Sequence, residues 1–297
     1  MKVITITSNI LAPKVAKRLK CEFLRMSLGS YPDKEMSLKY EGDLQEEVKG
    51  QEVLIVQSTY PNQEYLFDAV AALPKLLRDN GAKRVIAFVP FLNYLRQSET
   101  DVSKNEAPLA ATKLLEFNGK DSSGKLYLDS LHVVNPHSIS PFSKCLPKTS
   151  FLDDTELIAR EIKKLNLSNA TVIAPDEGAI NAAKKLANFL GVSYGHFDKK
   201  RLSGTEVKLE TGDIPKADTY IIRDDMISTG GTLAMVVRYL AKTFGAKNFI
   251  AACSHPLMVG GAAEMLKKSG ITKIIGTNSI ENEYGIVDLS PLVESLF

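Results

Sequence analysis

The chain has 297 residues, 44% of them hydrophobic and 24% charged, and its formal net charge is +2. That length suits two domains of about 100–200 residues, and the composition is ordinary for a globular protein. No global basic field argues for nucleic acid or an anionic membrane surface, and no apolar run approaches the ~20 residues of a membrane span.

The opening segment MKVITITSNI alternates like a strand and carries no long apolar signal core, so a cytoplasmic protein is expected. Short runs rich in Val and Ile recur at 3–7, 53–57, 85–89, 131–134, 171–174, 220–222, 249–253 and 273–276. They are apolar nearly throughout, which is how strands covered on both faces read. Amphipathic helix patterns lie between many of them, at 65–80, 108–117, 155–164, 179–190 and 232–244, the last stopped by Gly245. Strands alternating with helices predict an α/β protein with parallel sheets flanked by helices. Two such groups meet near 145–152, where Pro147 and the polar run 148–150 suit a connection, so the predicted domains are 1–146 and 147–297. Residues 119–125 read as a polar turn, and 199–216 as a mobile loop or a pair of edge strands. Cys21, Cys145 and Cys253 are scattered and form neither a disulfide framework nor a zinc spacing, so they read as small buried hydrophobes.

In open parallel sheets ligands bind beyond the carboxyl ends of the strands, so the residues just after each strand are the place to look for chemistry. After 220–222 comes Arg223-Asp224-Asp225-Met226-Ile227-Ser228-Thr229-Gly230-Gly231-Thr232, then a helix. Gly230 and Gly231 let backbone amides approach an anion, while Ser228, Thr229 and Thr232 add hydroxyl donors. The helix that follows presents its positive end to a phosphate. Asp224 and Asp225 suit ribose hydroxyls, or a magnesium ion held through water. Anion donors at one end and carboxylates at the other fit a sugar phosphate.

This loop resembles the phosphoribosyl-pyrophosphate motif shared by type I phosphoribosyltransferases and ribose-phosphate pyrophosphokinases. Further motifs along nearly the whole chain select the second family. Tyr31-Pro32-Asp33-Lys34-Glu35 is similar to its F-(S/P)-D-G-E, Val56-Gln57-Ser58-Thr59 to I-Q-S-T, and PFLNYLRQ at 90–97 to P-Y-Y-x-Y-x-R-Q. In the second half, Ala174-Pro175-Asp176-Glu177-Gly178-Ala179 resembles S-P-D-x-G-(G/A), and Asp198-Lys199-Lys200-Arg201 resembles the D-K-R-R catalytic loop. Ser254-His255-Pro256-Leu257 with Gly260 and Ala262 resembles T-H-x-(L/I)-x-S-G-x-A, and serine at 228 is closer to archaeal members.

The resemblance implies two domains of type I phosphoribosyltransferase-like fold. It also implies transfer of the β,γ-pyrophosphoryl group of ATP to the 1-hydroxyl of ribose 5-phosphate with magnesium. Ribose 5-phosphate is then expected on Asp224, Asp225, Ser228, Thr229, Gly230, Gly231 and Thr232, and ATP on Arg96 and Gln97. Asp33 and Glu35 are expected to reach a neighbouring subunit's ATP site, in a homo-oligomer built from dimers with ATP sites at the subunit interface. Lys199 and Arg201 are the expected catalytic cations, and His137 and Asp176 the expected metal residues. His132, inside a run, reads as core and His196 as structural, while His255 belongs to a family motif without an evident chemical role.

Three departures remove charge. Ala182 stands where the family's pyrophosphate loop ends in arginine, Ser98 and Glu99 where aspartate and a basic residue usually follow Arg-Gln, and Asn135 replaces the carboxylate of D-x-H. Arg223 is the candidate to supply the charge missing at Ala182. The departures support one alternative, a catalytically weak homologue that regulates an active subunit, which intact Lys199, Arg201 and 224–232 oppose. A third reading, a phosphoribosyltransferase, would need a base pocket that the sequence does not reveal.

Overall fold

A computed structural model describes residues 1–97, 109–145, 148–201, 207–211 and 213–297. The chain forms two compact units, Met1–Leu152 with Leu289–Phe297, and Asp153–Asp288.

The first unit runs β1 (Lys2–Thr5), α1 (Leu11–Leu19), β2 (Glu22–Arg25), β3 (Ser27–Ser30), β4 (Met36–Lys39), α2 (Leu44–Val48), β5 (Glu52–Val56), α3 (Gln63–Asp79), β6 (Arg84–Val89), α4 (Leu109–Leu114), β7 (Ser130–Val134), α5 (Ser140–Cys145) and β8 (Thr149–Leu152). Six strands form one parallel sheet in the order β2-β1-β5-β6-β7-β8, and β3 and β4 form a separate antiparallel hairpin. The all-apolar runs of β5 and β6 occupy the sheet centre, as expected for strands without a solvent face. Of the polar residues 148–150, read from sequence as a connector, Thr149 and Ser150 belong instead to edge strand β8, where Thr149 pairs with Leu131. An edge strand needs only backbone pairing on one side, so its composition does not announce it. The last residues fold back onto α1, where Arg18 donates to Glu294 Oε1 at 2.7 Å and Leu289, Val293 and Leu296 are buried.

The second unit runs α6 (Thr155–Lys163), β9 (Ala170–Ala174), α7 (Ile180–Leu190), β10 (Ser193–Arg201), β11 (Val207–Thr211), β12 (Thr219–Ile227), α8 (Gly231–Phe244), β13 (Asn248–Pro256), α9 (Ala262–Ser269), β14 (Ile271–Thr277) and β15 (Gly285–Val287). The sheet order is β11-β10-β9-β12-β13-β14-β15, parallel except for the β10–β11 hairpin. Of the two readings for 199–216, edge strands therefore hold for 199–201 and 207–211. Side chains alternate across this sheet: Tyr220 and Ile222 pack with Leu233, Val237 and Leu266 on the α8–α9 side, and Ile221 packs with Ile158, Ala183 and Leu186 on the α6–α7 side. Cys253 is buried in the first of these layers and Cys21 is half-buried.

Candidate functional site

From β9 the chain moves to β10 on one side and then to β12 on the other, so strand order reverses between β9 and β12. In a parallel sheet this reversal opens a crevice at the carboxyl ends, because the two crossover helices leave on opposite faces. The residues there are Asp176, just past β9, and the segment from Asp224 to Thr232 at the end of β12.

The strand does not end at Ile222; β12 continues to Ile227, with Asp224 opposite Cys253 and Met226 opposite His255. The acidic pair thus sits on a strand end anchored by β13, because ladder bonds use the backbone whatever the side chain. The turn that follows is short: Ile227 and Ser228 carbonyls accept from the amides of Met258 and Val259, both at 3.0 Å, and α8 starts at Gly231. Gly230 has φ 79°, and a Cβ there would lie 2.9 Å from Leu266 Cγ, so position 230 needs glycine on two counts. Ser228, Gly231 and Thr232 are half-buried and Thr229 is exposed at the mouth. Residues 228–230 thus join the end of β12 to the N-terminus of the fourteen-residue helix α8.

Asp224 Oδ1 accepts from the amide of Asp225 at 2.9 Å, and Asp225 Oδ1 accepts from Met226 N at 2.7 Å. Burial, then the neighbouring charges of Asp225 and Asp176, push Asp224 from the ordinary 3.8 up to about 8. The folded, unliganded chain therefore holds a proton on Asp224 more tightly than the unfolded chain does. That contribution to stability is present at low pH and lost as pH rises from about 4 through about 8. Asp224→Asn cannot ionise, so it should melt about 3–5 °C above the parent at pH 9, with the gap closing toward pH 5. Thermal scans at the two pH values check this; an equal gap at both would show that Asp224 carries no such burden.

Arg223 does not face the crevice. Its side chain is fully buried, and Nη2 donates at 2.9 Å to both Asp154 Oδ1 and Ser254 Oγ. The expectation that it replaces the charge missing at Ala182 therefore fails, because a guanidinium committed to a buried carboxylate is not available to a phosphate. Ala182 itself is half-buried in the first turn of α7, directly after the Asp176 turn.

Lys199 and Arg201 lie on β10, the strand beside β9, with backbones opposite Leu209 and Val207; their side chains lie outside the described residues. Asp176 is half-buried and starts the short 3-10 turn Glu177–Ala179. The second unit therefore carries Asp176, the 224–232 segment and the backbones of Lys199 and Arg201 on or just past three adjacent strands.

In the first unit, the sheet reverses between β1 and β5, and there the chain supplies its own ligand. Gln57 Oε1 accepts from Ile6 N at 3.1 Å, Thr7 N at 3.0 Å and Thr5 Oγ1 at 2.9 Å. The I-Q-S-T resemblance thus has a structural cause in part. Ser58 and Thr59 continue it: Ser58 Oγ accepts from Phe91 N at 3.2 Å and Thr59 Oγ1 from Asn93 N at 2.9 Å, latching the segment that carries Arg96 and Gln97. Arg96 is exposed and Gln97 half-buried past the end of β6, and His137 is exposed past the end of the neighbouring β7. Asn135, on the same turn, has φ 35°. Ser98 and Glu99 lie outside the described residues. Asp33 and Glu35 are exposed at the tip of the β3–β4 hairpin, where Asp33 Oδ1 accepts from Glu35 N at 3.1 Å.

The other three histidines contact neighbours within the fold. His132 is buried beside Ser130 Oγ at 3.0 Å, and burial with the Arg84 charge lowers it to about 4. His196 stacks on Tyr194, and His255 Nδ1 meets Ser279 Oγ at 2.9 Å in the interior. Sequence reasoning missed Asp154, since a carboxylate after an edge strand has no local sign of burial.

Among the described residues no cluster of three His, Cys, Asp or Glu is arranged to hold a metal. The mutual repulsion of Asp224, Asp225 and Asp176 still fits a divalent cation carried mostly by water and phosphate oxygens, since magnesium keeps several waters and takes only one or two carboxylates.

Residues 1–117 match the family described as the N-terminal domain of ribose phosphate pyrophosphokinase, and residues 149–292 match the phosphoribosyl transferase domain. The ribose-phosphate pyrophosphokinase of Pyrococcus furiosus is 33% identical, with 93% of this chain and 94% of that protein covered. That of Saccharolobus solfataricus is 32% identical, with 95% and 94% covered. The crystal structure of phosphoribosylpyrophosphate synthetase from Mycobacterium smegmatis superposes with a TM-score of 0.82 at 23% identity, covering 99% of this chain and 96% of that one, which establishes the shared fold.

Proposed function

The chain belongs to the ribose-phosphate pyrophosphokinase family, and from that premise we infer that it converts ATP and ribose 5-phosphate into 5-phosphoribosyl 1-pyrophosphate and AMP for nucleotide biosynthesis. The observation that carries this reading is the resemblance along both domains together with the carboxylate-and-amide segment at the strand-order reversal. The regulatory alternative has no support among the relatives, which carry the enzyme's name.

In the reaction the ribose 1-oxygen attacks the β-phosphorus of ATP, the bond from that phosphorus to the α,β-bridging oxygen breaks, AMP leaves and the hydroxyl proton is released. Such transfers are catalysed mainly by alignment and charge stabilisation. We assign the 5-phosphate to the amides and hydroxyls of Ser228–Thr232, and the ribose hydroxyls to Asp224 and Asp225. Arg96 and Gln97 contact ATP. Lys199 and Arg201 meet the charge redistributed over the transferred group and the leaving oxygen in the transition state. Asp176 would hold magnesium, which when bound would neutralise phosphate charge and polarise the phosphoryl oxygens, and His137 is assigned separately as a metal residue of the first unit. A coupled assay for AMP with ATP, magnesium and ribose 5-phosphate tests the reading. No AMP from the pure chain, with altered activity of a separate pyrophosphokinase on mixing, would establish the regulatory alternative instead.

We also assign Asp33 and Glu35 to the ATP site of a partner subunit in a homo-oligomer built from dimers. An exposed hairpin tip can reach a neighbour without disturbing its own core. Mixing an Asp33→Ala/Glu35→Ala chain with a Lys199→Ala chain should restore part of the activity, because one hybrid site has both halves intact. Hybrids that form without recovery would mean that each site is built from one chain. No described helix is long and apolar enough to cross a membrane, and we assign the enzyme to the cytoplasm.

A further inference from the structure

We propose that Arg223 is a positioning residue: by fixing the peptide between Asp224 and Asp225, it aims the Asp224 carboxylate at the sugar, an inference that rests on the ribose 5-phosphate reading of this segment. The carbonyl and the amide of that single peptide are held from opposite sides. Arg223 Nη1 donates to the carbonyl oxygen of Asp224. The amide of Asp225, at the other end of the same peptide, donates to Asp224 Oδ1 at 2.9 Å. Turning the peptide over would point its N–H at the guanidinium and its carbonyl at the carboxylate, so the charge on Arg223 selects one orientation, and that orientation determines where the carboxylate lies.

The guanidinium is itself held from below. Nη2 reaches Asp154 Oδ1 and Ser254 Oγ, both at 2.9 Å, with the Arg223 and Asp154 side chains at 0% exposure. Ser254 is pinned in turn, its carbonyl accepting from Thr277 Oγ1 at 2.7 Å and Ser279 Oγ at 2.9 Å. Asp154 begins α6, and its neighbour Asp153 pairs with Lys185 of α7 at 2.8 Å. The pair therefore ties the strand carrying Asp224 to the helix that follows the Asp176 turn. A buried ion pair is weak evidence for stability, since well-packed apolar residues often replace one without loss. Its placement one residue before the carboxylates points to geometry as its use.

The test compares Arg223→Met with the double variant Arg223→Met/Asp154→Leu, in which no buried charge is left alone. Asp154 stands at the N-cap of α6, but its side chain makes no capping bond to the helix, so leucine there removes none. The single variant is expected to melt lower. The double variant should recover the melting midpoint yet keep KM for ribose 5-phosphate raised at least ~10-fold, with KM for ATP within about twofold of the parent. In the unliganded double variant, the Asp225 amide should exchange with deuterium at least ~10-fold faster, because its partner is no longer fixed. A double variant with parental KM for ribose 5-phosphate, or with unchanged Asp225 exchange, overturns the proposal and leaves Arg223 a core ion pair. If the parent itself releases no AMP, the functional reading fails, while the exchange measurement still decides whether Arg223 orients this peptide.

Discussion

Lys199→Ala and Arg201→Ala should each lower turnover by at least ~10² while changing the affinity for ATP and ribose 5-phosphate far less. Negative charge redistributes over the transferred group and the leaving oxygen in the transition state, and a cation that meets it there acts on kcat rather than on ground-state binding. Removing one such contact typically costs ~10²–10³ in rate. The backbones of both residues lie on β10, next to the strand that Asp176 follows, and the antiparallel partner β11 pairs with them. Steady-state kinetics on each variant, with titration calorimetry for both substrates, separates the two effects. Near-normal turnover in both variants would reduce Asp198–Arg201 to a solvated basic run, and a matched loss of affinity and turnover would make them binding residues.

Gly230→Val should weaken ribose 5-phosphate binding at least ~10-fold and lower the melting midpoint, whereas Gly231→Ala should leave the midpoint nearly unchanged. At 230 the backbone has φ 79°, which a β-branched residue adopts only at a cost of about 1–3 kcal/mol. The new side chain would also start 2.9 Å from Leu266 Cγ, inside the layer that joins α8 to α9. Overpacking of that kind costs a further ~1–3 kcal/mol. Relief requires the turn to move, and the turn is where the amides gather. Gly231 is already helical and a Cβ there meets only Thr229 Oγ1 at 4.0 Å, so it controls for loss of glycine as such. Unchanged sugar-phosphate affinity in Gly230→Val would remove the anion from this turn.

The sheet-and-helix alternation and the phosphate-type segment were legible because each rests on local pattern. Buried parallel strands need consecutive apolar residues, as in β5, β6 and β9, and an anion turn needs glycines, hydroxyls and a helix start, as at 228–232. Elements with little burial were not legible: the hairpin β3–β4, edge strands β2, β8 and β15, and helix α9 with few buried residues. The length of β12 was hidden for a related reason. Arg223, Asp224 and Asp225 interrupt its apolar run, yet the backbone continues to pair with β13.

Composition, periodicity and motif order by themselves determined the α/β class, the two-domain scale, the glycine-and-hydroxyl turn before α8 and the family. Each motif and each periodic run depends on residues within a few positions of one another. The tertiary structure alone decided that Asp154 and Arg223, 69 residues apart, form a buried pair, and that Gln57 closes the first sheet's reversal across 50 residues of chain. It alone decided that residues 289–297 return to the first unit. A charge read from sequence has no direction. Whether Arg223 meets a phosphate or an aspartate depends on which side of the sheet its strand turns inward, and on what the rest of the chain has packed there.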